Sequence, residues 1–319
     1  MKKSVAVVGN GFVGGSLTTV LDERGIDVYA YDKAGKYVKE AKSSFGDICA
    51  GFPNSIEELI LDNEDGATPG FSNIYFVCVP TPMILETGEC DTSIVESVLE
   101  ELARVPGERI AVVKSTVPPG STEKWNTRHK GDGLHVIFNP EFLREATALE
   151  DMRHQTRIIL GGEKKSVNKV RDLFRTAFPD VPIHKTSSAN AEMVKYITNA
   201  FLATKVSFSN EVYEITEKLF NSGIDIDYDR IVELATLDER LGKSHWKVPG
   251  PMPADDGSGK LLRGYSGSCF CKDVNSLIFL AKQLGIDPKV LLGGWNKNVE
   301  IRPERDWLNL VGRAVSKKK

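Results

Sequence analysis

The chain has 319 residues, 41% of them apolar and 27% charged, with a formal net charge of −3. That length exceeds a typical single core and predicts two domains, in a composition ordinary for globular proteins. A charge so near zero gives no electrostatic reason for nucleic acid or an anionic membrane surface as a partner, and no apolar run approaches the ~20 residues that span a bilayer.

The N-terminus, "MKKSVAVVGNG", is basic and then apolar, but its apolar part ends within four residues at Gly9. That pattern predicts a first strand and not a signal peptide. Residues 5–8 form the short continuous apolar run of a parallel strand buried on both faces. Gly9, Gly11 and Gly14 follow as G-x-G-x-x-G. The first glycine permits the tight turn, the second lets a pyrophosphate approach the backbone, and the third allows close helix packing. The next helix, opening with Phe12 and Val13, directs its N-terminal N–H groups at the phosphates. A second strand over 28–31 ends at Asp32, eighteen residues after Gly14. A carboxylate there accepts the ribose hydroxyls and repels a 2′-phosphate, favouring NAD over NADP, although Lys33 and Lys36 weaken that preference.

Three further strand–helix units follow: "NIYFVCVPTP" (73–82), "ERIAVVKSTVPPGST" (108–122) and "GLHVIFNPEFLREATALED" (133–151). Each delivers polar residues to its C-terminal edge, where open parallel sheets bind ligands: Thr81, then Ser115 and Thr116, then Asn139 and Glu141. Taken singly, Thr81, Thr116 and Glu141 are equally compatible with ordinary loop positions. "TRIILGG" (156–162) predicts a sixth strand and "VPIHKTS" (181–187) an edge strand. The fold class expected is α/β, a Rossmann-type doubly wound parallel sheet over 1–187 followed by a mainly helical domain over 188–319.

From Ser188 apolar residues keep helical spacing to Gly223, which predicts one long helix. Lys195 and Asn199 are four apart and share a face, although a solvated stripe is the commoner fate of such a pair. Its wide apolar arc, including Phe201, Phe208 and Tyr213, predicts pairing with a two-fold mate in a homodimer. A second helix over about 226–236 leads into a Gly- and Pro-rich loop, 241–263, too long for a bare connector. "GYSGSCFCKD" (264–273) then precedes a third helix, and a fourth begins near Asp287.

The five cysteines (49, 78, 90, 269 and 271) have no framework spacing, and the five histidines are scattered. An odd count with no secretion signal predicts reduced thiols in a cytoplasm. Cys269 and Cys271 are too close for an unstrained disulfide, and no metal site has its ligands. Cys269 is the better nucleophile of the two. It closes a small-residue loop just before a helix, where the positive helix end and Lys272 both stabilise a negative sulfur. A thiolate, a dinucleotide, a carboxylate and a lysine together suggest oxidation of an alcohol through a thiohemiacetal to a thioester, which water then cleaves.

The ordered series "GNGFVGGS", "VPTP", "KSTVPPGST", "FNPEFLREATALEDM", "AEMVKYITNAFLATKVSFSNE", "DERLG" and "GSCFCKDV" resembles the UDP-glucose/GDP-mannose dehydrogenase family from Gly9 to about Leu280. The resemblance implies NAD-dependent four-electron oxidation of the C6 alcohol of a nucleotide sugar, with UDP-glucose to UDP-glucuronate as the first candidate and GDP-mannose or another sugar as the alternative. It implies that Cys269 is the nucleophile and that Lys195 and Asn199 stabilise oxyanion charge at C6 and hold the substrate. Glu141 is matched to the carboxylate on the hydrolytic water, with Thr116 beside it and Glu145 a turn later. Asp273 is matched to an acid holding Lys195 or that water. Arg240 is matched to an arginine reaching the partner subunit's substrate. The resemblance also places Phe142, Leu143, Tyr265 and Gly267 on the substrate, and Gly9, Gly11, Phe12, Val13, Gly14, Asp32, Lys33, Thr81, Thr116, Glu145 and Lys272 on NAD.

Two departures stand out. The family's third, C-terminal α/β domain lies beyond this chain, and the gap from Arg240 to Cys269 is longer than usual. The expectation is that loop 241–263 compensates, bringing Lys243, Lys247, Lys260 or Arg263 to the diphosphate. Two readings compete with the dehydrogenase: a truncated, weakly active protein that binds NAD or a nucleotide sugar, and a two-electron β-hydroxyacid dehydrogenase, which shares the sheet and long helix but needs no nucleophilic cysteine.

Overall fold

The structure, a computed structural model, describes residues 4–33, 71–104, 106–251, 253–254 and 257–316. Lys36, Cys49, the C-terminal lysines and three positions of the 241–263 loop lie outside the described residues. The chain divides into two compact units, Met1–Thr81 with Thr92–Lys195, and Pro82–Asp91 with Tyr196–Lys319. The division therefore falls within a helix and not at 187/188, and a ten-residue excursion from the first half is carried by the second unit.

The first unit is built on strands β1 (Ser4–Val8), β2 (Asp27–Tyr31), β3 (Phe71–Val77), β4 (Arg109–Val113), β5 (Leu134–Phe138), β6 (Ile158–Gly161) and β7 (Ile183–Thr186), in the order β2-β1-β3-β4-β5-β6-β7. Among the described residues it also carries helices α1 (Phe12–Glu23), α2 (Ser93–Ala103), α3 (Ser121–Arg128), α4 (Ala148–Arg153) and α5 (Lys164–Ala177). Every residue of β1 and β4 is buried. The period of two explains why both faces are apolar: Val5 and Val7 join a core with α1 and α5, whereas Ala6 and Val8 join one with α2 and Trp125.

One part of the sheet departs from the all-parallel expectation. β6 meets β5 antiparallel, through Phe138 and Gly161, and β7 runs parallel to β6. A parallel return needs a crossover along the full strand, usually a helix. The only helix in this connection, α4, has six residues, a rise of about 9 Å. The chain thus re-enters from the C-terminal side of β5 and brings the Ile159 carbonyl beside Asn139, whose Nδ2 donates to it at 2.8 Å.

The second unit contains most of α6 (Ser188–Asn221), with α7 (Tyr228–Ala235), α8 (Phe270–Gln283) and α9 (Lys289–Ile301). Asp227 caps α7 by accepting from the Arg230 N–H, a preferred N-cap arrangement. Cys271, Val274, Ile278, Trp307 and Val315 form its core. The 82–91 segment is stitched to the end of the chain: the Met83 N–H donates to Ala314 at 2.9 Å and the Ser316 N–H to Met83 at 2.8 Å. No described helix is long and apolar enough to cross a membrane.

Candidate functional site

The glycine turn after β1 has the shape expected of a pyrophosphate cradle. Gly9 sits at φ 91°, and a Cβ there would meet the Cys78 carbonyl at 2.8 Å. A Cβ on Gly14 would meet the Gly9 carbonyl oxygen at 1.8 Å, so the helix can lie this close only with glycine. Gly11 is different. A Cβ there would meet nothing within 4 Å, so protein packing does not demand glycine; it leaves open space at the helix start. The first turn of α1 carries no acid, which suits an anion at its positive end. The Asn10 N–H donates to Asp32 at 2.8 Å, holding that carboxylate beside the turn. Phe12, Val13 and Lys33 occupy the same turn and strand end, and Phe12 and Lys33 are exposed. These residues fit a dinucleotide with free ribose hydroxyls.

At the C-terminal edge of the same sheet, Thr81 donates to the Thr116 carbonyl at 2.7 Å, fixing two strand-end loops together, and both residues are buried. After β5, Glu141 forms a pair with Lys195, the side chains 9% and 4% exposed. Lys195 Nζ donates to Glu141 Oε1 at 2.9 Å and to the Glu141 carbonyl at 2.7 Å. The Leu143 N–H donates to the other carboxylate oxygen at 2.7 Å. Burial alone would push the Glu141 carboxyl up, but Lys195, the Leu143 N–H and Lys114 outweigh it and hold it below its ordinary value. Phe142 lies between two cations, its ring 4.2 Å from the Arg157 guanidinium and 5.8 Å from Lys195 Nζ. Glu145 is exposed on a 3₁₀ turn, Glu145–Thr147.

The second unit carries a separate buried network. Asp273 is 1% exposed; one oxygen accepts from Lys272 Nζ and the other from Asn199 Nδ2, each at 2.5 Å. Each Asp273 oxygen thus has a hydrogen-bond donor within the second unit. Lys272 is itself buried and paired with Asp273. Burial disfavours its charge, yet Asp273, Cys269 and Cys90 outweigh that and raise its pKa above the usual lysine value. Cys269 is the N-cap residue of α8 and half-buried, so its sulfur lies at the start of that helix. Cys271, 0% exposed, is a core residue whose sulfur lies 4.0 Å from the Tyr265 carbonyl.

Tyr265, Gly267 and Arg240 each have a distinct local setting. Tyr265 is buried against Phe270 and Trp295, and its N–H and carbonyl are both held by the Asn298 side chain. Gly267, at φ 79°, has nothing within 4 Å of a built Cβ. Arg240 is 89% exposed and paired with Asp238. Arg263 is engaged by α6. It is bonded to Glu214 at 3.0 Å and lies over the Tyr213 ring, while Lys243, Lys247 and Lys260 are exposed. The loop after Arg240 is pinned to α6: Lys205 donates to the Leu241 and Gly242 carbonyls at 2.8 and 3.0 Å and lies over Trp246.

Glu192 and Lys114 are among the buried charged groups that the sequence does not single out. Glu192 accepts from the Gly120 and Thr122 N–H groups and the Thr122 hydroxyl, capping α3. Lys114 ends β4 and donates to Asn139 Oδ1 at 2.8 Å. Its one sequence signal is a lysine directly after the apolar run 110–113.

The family model described as "UDP-glucose/GDP-mannose dehydrogenase family, NAD binding domain" matches residues 3–178, and that of the family's central domain matches 189–299. The chain is 31% identical over 305 residues to UDP-glucose 6-dehydrogenase YwqF of Bacillus subtilis (strain 168), covering 90% of this chain and 64% of that protein. It therefore spans less than two thirds of that relative's length. A solved UDP-glucose dehydrogenase from the archaeon Pyrobaculum islandicum matches at TM-score 0.71 and 27% identity, over 95% of this chain and 69% of that one. The 3-hydroxyisobutyrate dehydrogenase of Mycobacterium tuberculosis matches at TM-score 0.70 over 96% of each chain, but at 14% identity, which is a likeness of fold alone. With its two domain models matched in succession, the chain belongs to the UDP-glucose/GDP-mannose dehydrogenase family, its NAD-binding domain followed by the family's central domain.

Proposed function

We propose that the chain oxidises the C6 alcohol of a nucleotide sugar to a carboxylate in two hydride transfers, and that UDP-glucose is the substrate. The observation that carries this reading is Cys269 at the N-cap of α8, three residues before Lys272, in a chain that also holds the buried Glu141–Lys195 pair. A simple alcohol dehydrogenase needs no such sulfur. The substrate rests on the names of the similar proteins from Bacillus subtilis and Pyrobaculum islandicum.

When bound, NAD supplies the hydride acceptor for both oxidations. The protein's share begins once C6 is an aldehyde. The Cys269 thiolate adds to C6, the C–S bond forms, and the carbonyl pair moves to oxygen as an oxyanion that Lys195 and Asn199 stabilise. Loss of the second hydride from this thiohemiacetal leaves a thioester. Glu141, held anionic by its neighbours, takes a proton from water beside Thr116; the hydroxide attacks C6, the C–S bond breaks, thiolate leaves, and the carboxylic acid formed gives its proton to solvent to leave the carboxylate. The test is NADH yield with a panel of nucleotide sugars. Two NADH per UDP-glucose is expected, and a yield of one would favour the two-electron alternative.

Glu141→Gln keeps the side-chain volume but removes the base. Hydrolysis should slow by roughly 10²–10⁴-fold, and acyl-enzyme should accumulate as a mass adduct on the Cys269 peptide. Activity lost with no adduct would count against the role given to Glu141.

The active form proposed is a homodimer through α6. Ile197, Phe201, Phe208 and Ile215 recur at spacings of four and seven, so they form one exposed apolar stripe, with Phe201 68% exposed. Tyr213 does not join it, because its ring packs edge-on against Tyr228. Sedimentation at micromolar concentration should show a dimer, and Phe201→Asp should give a monomer. A monomeric parent protein would defeat the proposal.

A further inference from the structure

Lys114 has no role in the chemistry above, yet it is a buried cation at the C-terminal end of β4. Its Nζ donates to Asn139 Oδ1 at 2.8 Å, and Asn139 is fixed in turn by donating to the Ile159 carbonyl through Nδ2 and to the Val113 carbonyl through its backbone N–H. Glu141 follows two residues later, so Lys114 anchors the root of the turn that carries it. The groups facing Glu141 are Lys195 from α6, Lys114 from β4 and Cys78 from the end of β3, with Arg157 further out over Phe142. Burial pushes the Cys78 thiol up to about 12, so it is uncharged at neutral pH and the two lysines are the charges that matter. Lys114 is pulled below the ordinary lysine value by burial, against which Cys78 and Glu141 act.

Lys195 is asked to do two things in the proposed reaction: pair with Glu141 and stabilise the oxyanion at C6. Each negative charge weakens its hold on the other. We propose that Lys114 is a positioning residue that supplies Glu141 with a second counter-charge and, through Asn139, fixes its turn, so that Glu141 remains anionic while Lys195 serves the substrate oxygen. The catalytic meaning of this proposal rests on the reading of Glu141 as the hydrolytic base.

The test is an infrared titration of the Glu141 carboxyl in the intact, substrate-free protein, identified as the band lost in Glu141→Gln. Lys114→Gln keeps a hydrogen bond to Asn139 and removes the charge. An opposite charge close to a carboxyl lowers its pKa by about one to three units, so the variant's midpoint should rise by about one pH unit, and Lys114→Arg should restore it. An unchanged midpoint in folded Lys114→Gln would overturn the proposal. Nitrogen NMR of Lys114 in the unmodified protein gives a measurement that needs no variant: the ammonium form is expected at pH 7, and a neutral amine would also overturn it. In turnover, the acid limb of thioester hydrolysis should move up with the infrared midpoint. A moved midpoint with an unmoved limb would sustain the charge role and sink Glu141 as the base.

Discussion

Cys269→Ser is expected to reduce overall turnover by about 10⁴-fold or more, the scale seen when an enzyme loses its nucleophile. A neutral hydroxyl lacks the nucleophilicity of a thiolate at the start of a helix beside a lysine. The first hydride transfer does not involve the sulfur, so rapid mixing should still show at most one NADH per site. No acyl-enzyme should form. Cys271→Ser is the control that the structure makes sharp. Cys271 is 0% exposed and belongs to the core of the second unit, so its hydroxyl analogue should cost stability, about 1–2 kcal/mol. Turnover of the folded Cys271→Ser variant should remain within a few fold. Equal catalytic loss from the two variants would defeat the assignment of a single nucleophile, whatever their stabilities.

The two halves of this comparison were not equally legible in the sequence. That Cys269 precedes a helix could be read from the small residues before it and the apolar spacing after it. The partners of Asp273 could not, because adjacent charges in "KD" give no sign that one carboxylate is shared with Asn199, 74 residues earlier. The same limit recurs in the fold. Residues 5–8, 28–31, 74–77 and 110–113 are continuous apolar runs, nearly all of them buried, and such runs announce themselves. The direction of β6 depends on how far α4 carries the chain, and strand composition does not encode that. The excursion over 82–91 is legible only together with Ala314 and Ser316, whose bonds to Met83 span more than 200 residues. Lys114 looked like the polar end of a strand, since the carboxylate it serves lies in another βα unit. The glycine turn, by contrast, has its strand, helix and acid within one short stretch. Local chemistry was readable there, whereas the shared ions were not.

Lys195→Ala should lower kcat by roughly 10²–10³-fold, the usual contribution of one oxyanion donor. NAD affinity should scarcely change, because the glycine turn and Asp32 are untouched. A matching fall in NAD affinity would place the lysine elsewhere. The structure adds a consequence for stability. Lys195 holds Glu141 at two oxygens in a pair whose side chains are both less than a tenth exposed. Truncating it leaves a buried carboxylate short of its main counter-charge, which costs about 3–5 kcal/mol. The pH dependence follows from the direction of the shift. In the intact protein the Glu141 carboxyl is held below its ordinary value, Lys195 outweighing burial. Its pairing therefore stabilises the fold above the unfolded carboxyl pKa, and that contribution is lost as pH falls through the lowered folded value. In Lys195→Ala the carboxyl loses its larger counter-charge, only Lys114 and the Leu143 N–H are left to oppose burial, and the carboxyl moves upward. The charged form then costs stability at neutral pH, and protonation relieves it. Urea unfolding should show a deficit that is largest near pH 7 and shrinks toward pH 5. Adding Glu141→Gln should recover most of the stability but none of the turnover, since the amide needs no counter-ion and is no base. A deficit independent of pH, unrelieved by Glu141→Gln, would mean that Lys195 supports the fold by packing, and the ion pair would lose its place at the centre of the site.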